Sequence, residues 1–221
     1  MENILEKLSM AVERGKIDKK APFPPDMIDM DGADELTQEA LDSGISAEEI
    51  LNLALFKGMR SIGEKFRDNK VFVPEVLMAA RAMTAAMNHL GPYFKQGLIK
   101  KKGTFVIGTA AGDMHDIGKA LVAMIIEGGG WDIIDLGTNV STEKFIEAID
   151  SNPGCSVGIS ALLTTTMVNM EHTVKEIKRK YPDTHILIGG APVNQAFCEK
   201  TGADFYSPEP HAALDYLNKL N

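Results

Sequence analysis

The sequence predicts an α/β fold preceded by a helical bundle, and three observations predict it. Apolar residues recur at helical spacing through residues 1–90. From residue 104 onward, short β-like runs alternate with helical patterns. Between them, 91–103 ("GPYFKQGLIKKKG") has no period and the composition of an exposed hinge. The expected organisation is a helical domain over 1–90, a linker over 91–103 and a parallel-sheet domain over 104–221.

Each helix of the first half has its own signal. "ILEKLSMAV" places Ile4, Leu5, Leu8 and Val12 on one face. "ADELTQEALDSG" repeats the pattern with Leu36, Ala40 and Leu41, and Gly44 supplies a left-handed stop. "SAEEILNLALFKGMRSIGEKF" opens on a capping box, Ser46 and Glu49, and runs a stripe through Leu51, Leu55, Met59, Ile62 and Phe66. "VPEVLMAARAMTAAMNHLGP" begins with Pro74 in the first turn, where proline is tolerated, and is expected to stop at Gly91-Pro92. Four such stripes are most economically buried against one another, as a four-helix bundle. Between the first two helices, "RGKIDKKAPFPPDMIDMDG" has three prolines and no period, and reads as a solvated loop.

In the second half the β-like runs are "TFVIGTA", "WDIIDLG", "SVGIS", "HILIGG" and "ADFYS", with helical patterns between them and a last one, "PHAALDYLNKL", after the fifth. Strand–helix alternation at this spacing means βαβ units, hence a five-stranded parallel sheet with helices on both faces. Ligands of such sheets sit outside the carboxyl ends of the strands.

Composition excludes several function classes. The 221 residues carry 31 acids against 23 Lys and Arg, a net charge of −8. That balance disfavours nucleic acid and anionic membranes as partners, because both need a concentrated basic patch. The one basic run, Lys100-Lys101-Lys102, reads as solvated linker. Cys155 and Cys198 match no CxxC pattern and are expected to be reduced packing residues of a cytoplasmic protein. The N-terminus lacks a secretory apolar core, and no run of about 18 apolar residues offers a membrane span.

The chemistry centres on "GTAAGDMHDIGK", residues 108–119, between the first strand and the first helix of the sheet domain. A histidine in such a loop is commonly a surface or packing residue. A phosphate loop fails in detail: five residues, not four, separate Gly112 from Gly118, and Ala120 stands where a Mg²⁺-holding hydroxyl belongs. No G-x-G-x-x-G is present for a dinucleotide. A metal ligand is the remaining reading, since Asp113 could hold the second ring nitrogen of His115 and fix its tautomer. The other histidines (89, 172, 185 and 211) are scattered. One protein ligand suffices only for a metal delivered inside a macrocycle.

At this point the chain resembles the cobalamin-binding proteins, which share D-x-H-x-x-G, then S-x-L, then G-G. Here these are Asp113-Met114-His115-Asp116-Ile117-Gly118, Ser160-Ala161-Leu162 and Gly189-Gly190, separated by 119–159 and 163–188, the spacing of the family. Each motif ends a predicted strand. Upstream, "GMRSIGEKFRDNKVFVPEVLMAARAM", 58–83, is similar to the helical cap that precedes the cobalamin domain in methionine synthase and in corrinoid proteins of methyltransferase systems. The resemblance implies a Rossmann- or flavodoxin-like cobalamin domain behind a four-helix cap. The proline-rich loop has the look of an insertion into that cap.

It also implies roles. Cobalamin would bind with its own lower base displaced (base-off) and His115 as the cobalt ligand (His-on), through the methylcobalamin and cob(I)alamin states. Asp113 and Thr166 would continue a proton relay from His115. Met114, Asp116, Ile117, Leu162 and Thr164 would border the cofactor, while Gly118, Ser160, Gly189 and Gly190 would line a slot for the displaced tail. Gly108 and Gly158 within strands fit the same need for room. In the cap, Phe72, Met78 and Met83 would form an apolar lid, able to swing aside on the 91–103 hinge. The implied function is a corrinoid methyl carrier, a component of an enzyme system. Its partners would be a substrate-specific methyltransferase, an acceptor methyltransferase using tetrahydrofolate or a thiol, and a reductive activase. The donor (methylamine, methanol, O-methyl ether or betaine) would be selected by the partner. A cobalamin-dependent sensor is disfavoured by the acidic balance and by Trp131, the one tryptophan, falling at strand two. The cobalamin subunit of a mutase would lack this cap.

Overall fold

The computed structural model describes residues 4–96 and 100–220. The chain divides between Lys100 and Lys101 into two compact units.

The helical unit holds α1 (Ile4–Arg14), α2 (Ala33–Asp42), α3 (Ala47–Glu49), α4 (Phe56–Arg67) and α5 (Val73–Lys95). α1 buries Leu8, Ala11 and Val12 and ends at Gly15, φ +71°. A Cβ on Gly15 would stand 2.5 Å from Met78 Cβ, so both backbone and space require glycine there. The capping box forms as expected: Glu49 N–H donates to Ser46 Oγ at 3.2 Å, and Ser46 N–H to Glu49 Oε2 at 3.1 Å. α3 and α4 are joined without a break by a π-helical segment, Ile50–Leu55, inside what the sequence read as one regular helix. That widened turn puts both Ile50 and Leu51 in the core.

Three expectations need correction. α5 does not stop at Gly91-Pro92 but continues to Lys95, with Pro92 inside it. Proline removes an N–H and crowds the carbonyl four residues back, and the helix ends within one turn of Pro92; Gly91 has no Cβ to add to the crowding. Of the expected hinge, residues 97–99 lie outside the described residues. The proline-rich loop, though exposed over much of its length, is tied down. Lys16 is fully buried with Nζ donating to the Ala21 carbonyl at 2.8 Å, and Glu35 of α2 accepts the N–H of Lys19 and of Gly32. Nor is the lysine run a free linker: Lys101 pairs with Asp132, and Lys102 Nζ donates to Asn218 Oδ1 at 3.0 Å.

The second unit runs β1 (Thr104–Thr109), α6 (Ile117–Gly128), β2 (Asp132–Asp135), α7 (Thr142–Ser151), β3 (Ser156–Ser160), α8 (Met167–Lys180), β4 (Ile186–Gly189), α9 (Gln195–Thr201), β5 (Phe205–Ser207) and α10 (Pro210–Leu217). All five strands are parallel, in the order β2-β1-β3-β4-β5. Side chains alternate between two cores. Val106, Val157, Ile159, Ile186 and Ile188 pack against α7, α8 and α9, while Phe105, Ile107 and Leu187 pack against α6 and α10. Cys155 and Cys198 are free and buried in the first of these cores, and burial pushes both thiols up. The chain leaves β1 for β2 on one side and returns to β3 on the other. This reversal opens a crevice at the carboxyl ends of β1 and β3, where α/β sheets take ligands. Among the described residues, no helix is long and apolar enough to cross a membrane.

Candidate functional site

The loop between β1 and α6 fills that crevice. β1 ends at Thr109, the chain turns through Gly112 (φ +84°), and Asp113 drops into the interior with 0% exposure. Its carboxylate is fully used. Oδ1 accepts the His115 backbone N–H at 3.0 Å and faces His115 Nδ1 at 2.9 Å. Oδ2 accepts the Leu162 N–H at 2.7 Å and the Thr166 hydroxyl at 2.8 Å. Burial pushes the Asp113 carboxyl up. The N–H groups of His115 and Leu162, with the His115 ring and Thr166, outweigh it and hold the group well below the usual carboxylate range.

An ionised carboxylate only accepts, so Nδ1 of His115 must be the donor. The neutral ring then carries its lone pair on Nε2. The His115 side chain is 49% exposed, and Nε2 has no hydrogen-bond partner among the described residues. A tautomer-locked imidazole with a free outward nitrogen is a ready metal ligand. Among the described residues no group of three or more His, Cys, Asp or Glu could hold a bare ion. That donor set fits a metal whose other ligands come with it.

Beside the histidine loop, a cavity of about 300 Å³ runs along the ends of β1, β3, β4 and β5 beneath α6 and α10. Gly118, Ser160, Gly189 and Gly190 line it. A Cβ at Gly118 would meet nothing within 4 Å, so the first turn of α6 leaves the space beside it open. Gly190 has φ +123°, and a Cβ there would collide with the Ala161 carbonyl. Gly158 also lines the cavity, where a Cβ would stand 2.5 Å from Phe105. Gly108 does not, because its missing Cβ faces Val140 and Phe145 in the opposite core. Pleating turns neighbouring strand positions to opposite faces.

The comparisons with known proteins agree with this geometry. A B12 binding domain family matches residues 103–215, and a second B12 binding domain family matches 27–90. Trimethylamine corrinoid protein 2 of Methanosarcina acetivorans is 36% identical over 196 residues, covering 87% of this chain and 89% of that protein. The chain belongs to the B12-binding corrinoid proteins. Two crystal structures share its fold. One is a cobalamin-binding protein from Desulfitobacterium hafniense, with TM-score 0.76, 25% identity and 100% of both chains covered. The other is the methanol:cobalamin methyltransferase complex of Methanosarcina barkeri, with TM-score 0.82, 25% identity, and 98% of this chain and 79% of that one covered.

This corrinoid protein thus binds cobalamin. Met114 beside His115, Ile117 at the start of α6 and Leu162 after β3 expose apolar side chains, and Asp116 stands exposed just before α6. Thr166 reaches Asp113 through its hydroxyl; Thr164 is exposed and makes no hydrogen bond to Asp113. Phe72 belongs to the helical unit, at the start of α5, and is 68% exposed.

Sequence reasoning missed four residues that frame the loop. The Thr109 hydroxyl donates to the Asp113 carbonyl at 2.6 Å. Asn139 Oδ1 accepts the Gly112 N–H at 2.7 Å, and Asn169 Nδ2 donates to the Ala111 carbonyl at 2.8 Å. Lys119, 3% exposed, lines the cavity and pairs with Asp135 at the end of β2. A polar residue in the loop that follows a parallel strand, as Asn139 is in the loop after β2, was the available signal.

Proposed function

We propose that this chain is the methyl carrier of a methyltransferase system, and that His115 Nε2 would hold the cobalt of its corrinoid. The observation that carries the reading is the buried Asp113 carboxylate fixing Nδ1–H of a half-exposed His115. When bound, the corrinoid supplies a cobalt centre able to accept a methyl group and give it up again.

The residues divide the work by position. Asp113 holds the Nδ1 proton and keeps the Nε2 lone pair outward, and Thr166 and the Leu162 N–H hold Asp113. With Nδ1–H fixed on Asp113, Nε2 is the ring atom that would hold the metal, and the carboxylate would set its basicity as a ligand. Met114, Ile117 and Leu162 would offer exposed apolar surface to the corrinoid. Gly118, Ser160, Gly189 and Gly190 give the displaced nucleotide tail its slot, with Thr164 and Asp116 at the exposed edge. In the helical unit, Phe72 is the proposed apolar contact for the corrinoid.

The partner that loads a carrier of this kind is a methyltransferase, as the methanol:cobalamin methyltransferase complex and the trimethylamine corrinoid protein support by name. Donor choice then belongs to that partner. We place a second methyltransferase, with a tetrahydrofolate or thiol acceptor, and a reductive activase downstream.

The test is transfer of an isotopically labelled methyl group. The cobalamin-loaded chain is mixed in turn with methyltransferases specific for methylamines, methanol, aryl methyl ethers and betaines. Label arriving on the chain and leaving to a thiol or tetrahydrofolate is expected with one of them. A chain that binds cobalamin tightly and takes label from none would overturn the carrier reading.

A further inference from the structure

Asp113 is held from two directions, and only one of them involves its carboxylate. From the β3 side, Leu162 and Thr166 bind Oδ2. From the β2 side, the loop after Asp135 grips the backbone. Asn139 N–H donates to the Asp113 carbonyl at 2.9 Å and to Thr109 Oγ1 at 2.9 Å, while Asn139 Oδ1 accepts Gly112 N–H at 2.7 Å. The Thr109 hydroxyl, fully buried, closes the triangle by donating to the same Asp113 carbonyl. One residue therefore fixes the peptides on both sides of the turn that delivers Asp113.

The conformation of Asn139 fits that task. It has φ +53°, the left-handed region that asparagine tolerates better than other residues with a side chain. In that pose its backbone N–H and its side-chain oxygen both reach the histidine loop. Gly112 is exposed, so water would replace Oδ1 if the side chain were removed. Fold stability then changes little, and what is lost is the angle at which Asp113 leaves the turn.

We propose that Asn139 is a positioning residue for His115. It acts through Gly112 and Asp113, setting the direction of the carboxylate that holds His115 Nδ1–H. The consequence for cobalt rests on the reading of His115 as the axial ligand; the geometric part does not.

Two variants of the full chain separate positioning from scaffolding. Asn139→Gly keeps the left-handed backbone and its N–H but loses Oδ1, and Asn139→Asp keeps an oxygen there. In the cofactor-free protein, exchange of the His115 Nδ1 proton, followed by nitrogen-15 imidazole NMR, should quicken about 3- to 10-fold in Asn139→Gly, the weight of one net hydrogen bond. Asn139→Asp should return it to within about twofold. Melting temperatures should stay within about 3 °C of wild type. After loading with Co(II) cobalamin, the nitrogen-ligated fraction should fall in Asn139→Gly by a similar factor. Unchanged Nδ1 exchange in Asn139→Gly overturns the proposal. So does quickened exchange that tracks a lowered melting temperature and is not rescued by Asn139→Asp. If the wild-type Co(II) form shows no nitrogen ligand at all, the axial assignment of His115 fails, while the cofactor-free exchange still decides the role of Asn139.

Discussion

Oδ1 of Asp113 stands 2.9 Å from Nδ1 of His115 and, at 3.0 Å, accepts the backbone N–H of the same residue. A single carboxylate oxygen thus fixes both where His115 sits and which ring nitrogen is free. The Asp113 carboxyl is held below its ordinary range in the folded chain. A depressed folded pKa contributes stability that is present above the unfolded value, about 3.9, and is lost as pH falls towards the folded one. Asp113→Asn removes this contribution and turns an amide N–H₂ towards donors, at a cost of about 1–3 kcal/mol at neutral pH. Urea titrations of the cofactor-free protein from pH 7 to pH 3 should show the gap between wild type and Asp113→Asn narrowing below about pH 4. A gap that stays constant across that range would contradict the assignment.

The Thr166 hydroxyl has one proton and two acceptors within reach, Asp113 Oδ2 at 2.8 Å and the Leu163 carbonyl at 2.8 Å. Thr166→Ala removes a donor to a buried charge, worth about 1.5–3 kcal/mol. Thr166→Ser keeps the hydroxyl and should recover most of that loss. Chemical denaturation of the three proteins measures it; equal losses in Ala and Ser would assign Thr166 to packing through its methyl group instead.

The cavity under α6 makes a separate prediction. Gly118→Leu fills space that is open in the fold, so the cofactor-free protein should melt within about 3 °C of wild type. Its affinity for cobalamin, whose displaced tail needs the slot, should fall about tenfold or more, as overpacking commonly costs. Affinity for cobinamide, a corrinoid without the nucleotide tail, should be unchanged. Equal losses for both ligands would mean that the cavity does not take the tail.

Gly190→Ala should behave in the opposite way. There the left-handed backbone and the Ala161 carbonyl leave no room, so the fold itself should suffer, by about 1–3 kcal/mol or more. Calorimetry of the cofactor-free protein checks this before any ligand is added. A melting temperature equal to wild type would show that the β3–β4 edge relaxes.

Much of this architecture was legible in the sequence because it is written in local periods. The five strands appear as short β-branched runs, the helices as stripes at 3.6-residue spacing, and the cofactor motif as residues at strand ends. What escaped was of another kind. The π-helical turn at Ile50–Leu55 depends on tertiary packing of two adjacent apolar residues, and α5 carries Pro92 within its last turn, past the expected stop. Asn139 and Asn169 reach the histidine loop from 27 and 58 residues away in sequence, so no window contains both partners. The buried Lys16 and Lys119 follow the same logic: an ammonium reads as surface until its acceptor, the Ala21 carbonyl or Asp135, is in place.

The central claim is that His115 Nε2 ligates cobalt, and isotope substitution tests it most directly. The chain is produced with all histidines labelled with nitrogen-15, loaded with Co(II) cobalamin and examined by electron paramagnetic resonance. A histidine ligand predicts that the three-line nitrogen splitting of the unlabelled protein becomes two-line in the labelled one, and that the label has no effect in His115→Gly. Three lines persisting in the labelled wild-type protein would show that the cofactor's own base occupies the lower position, and would contradict the claim.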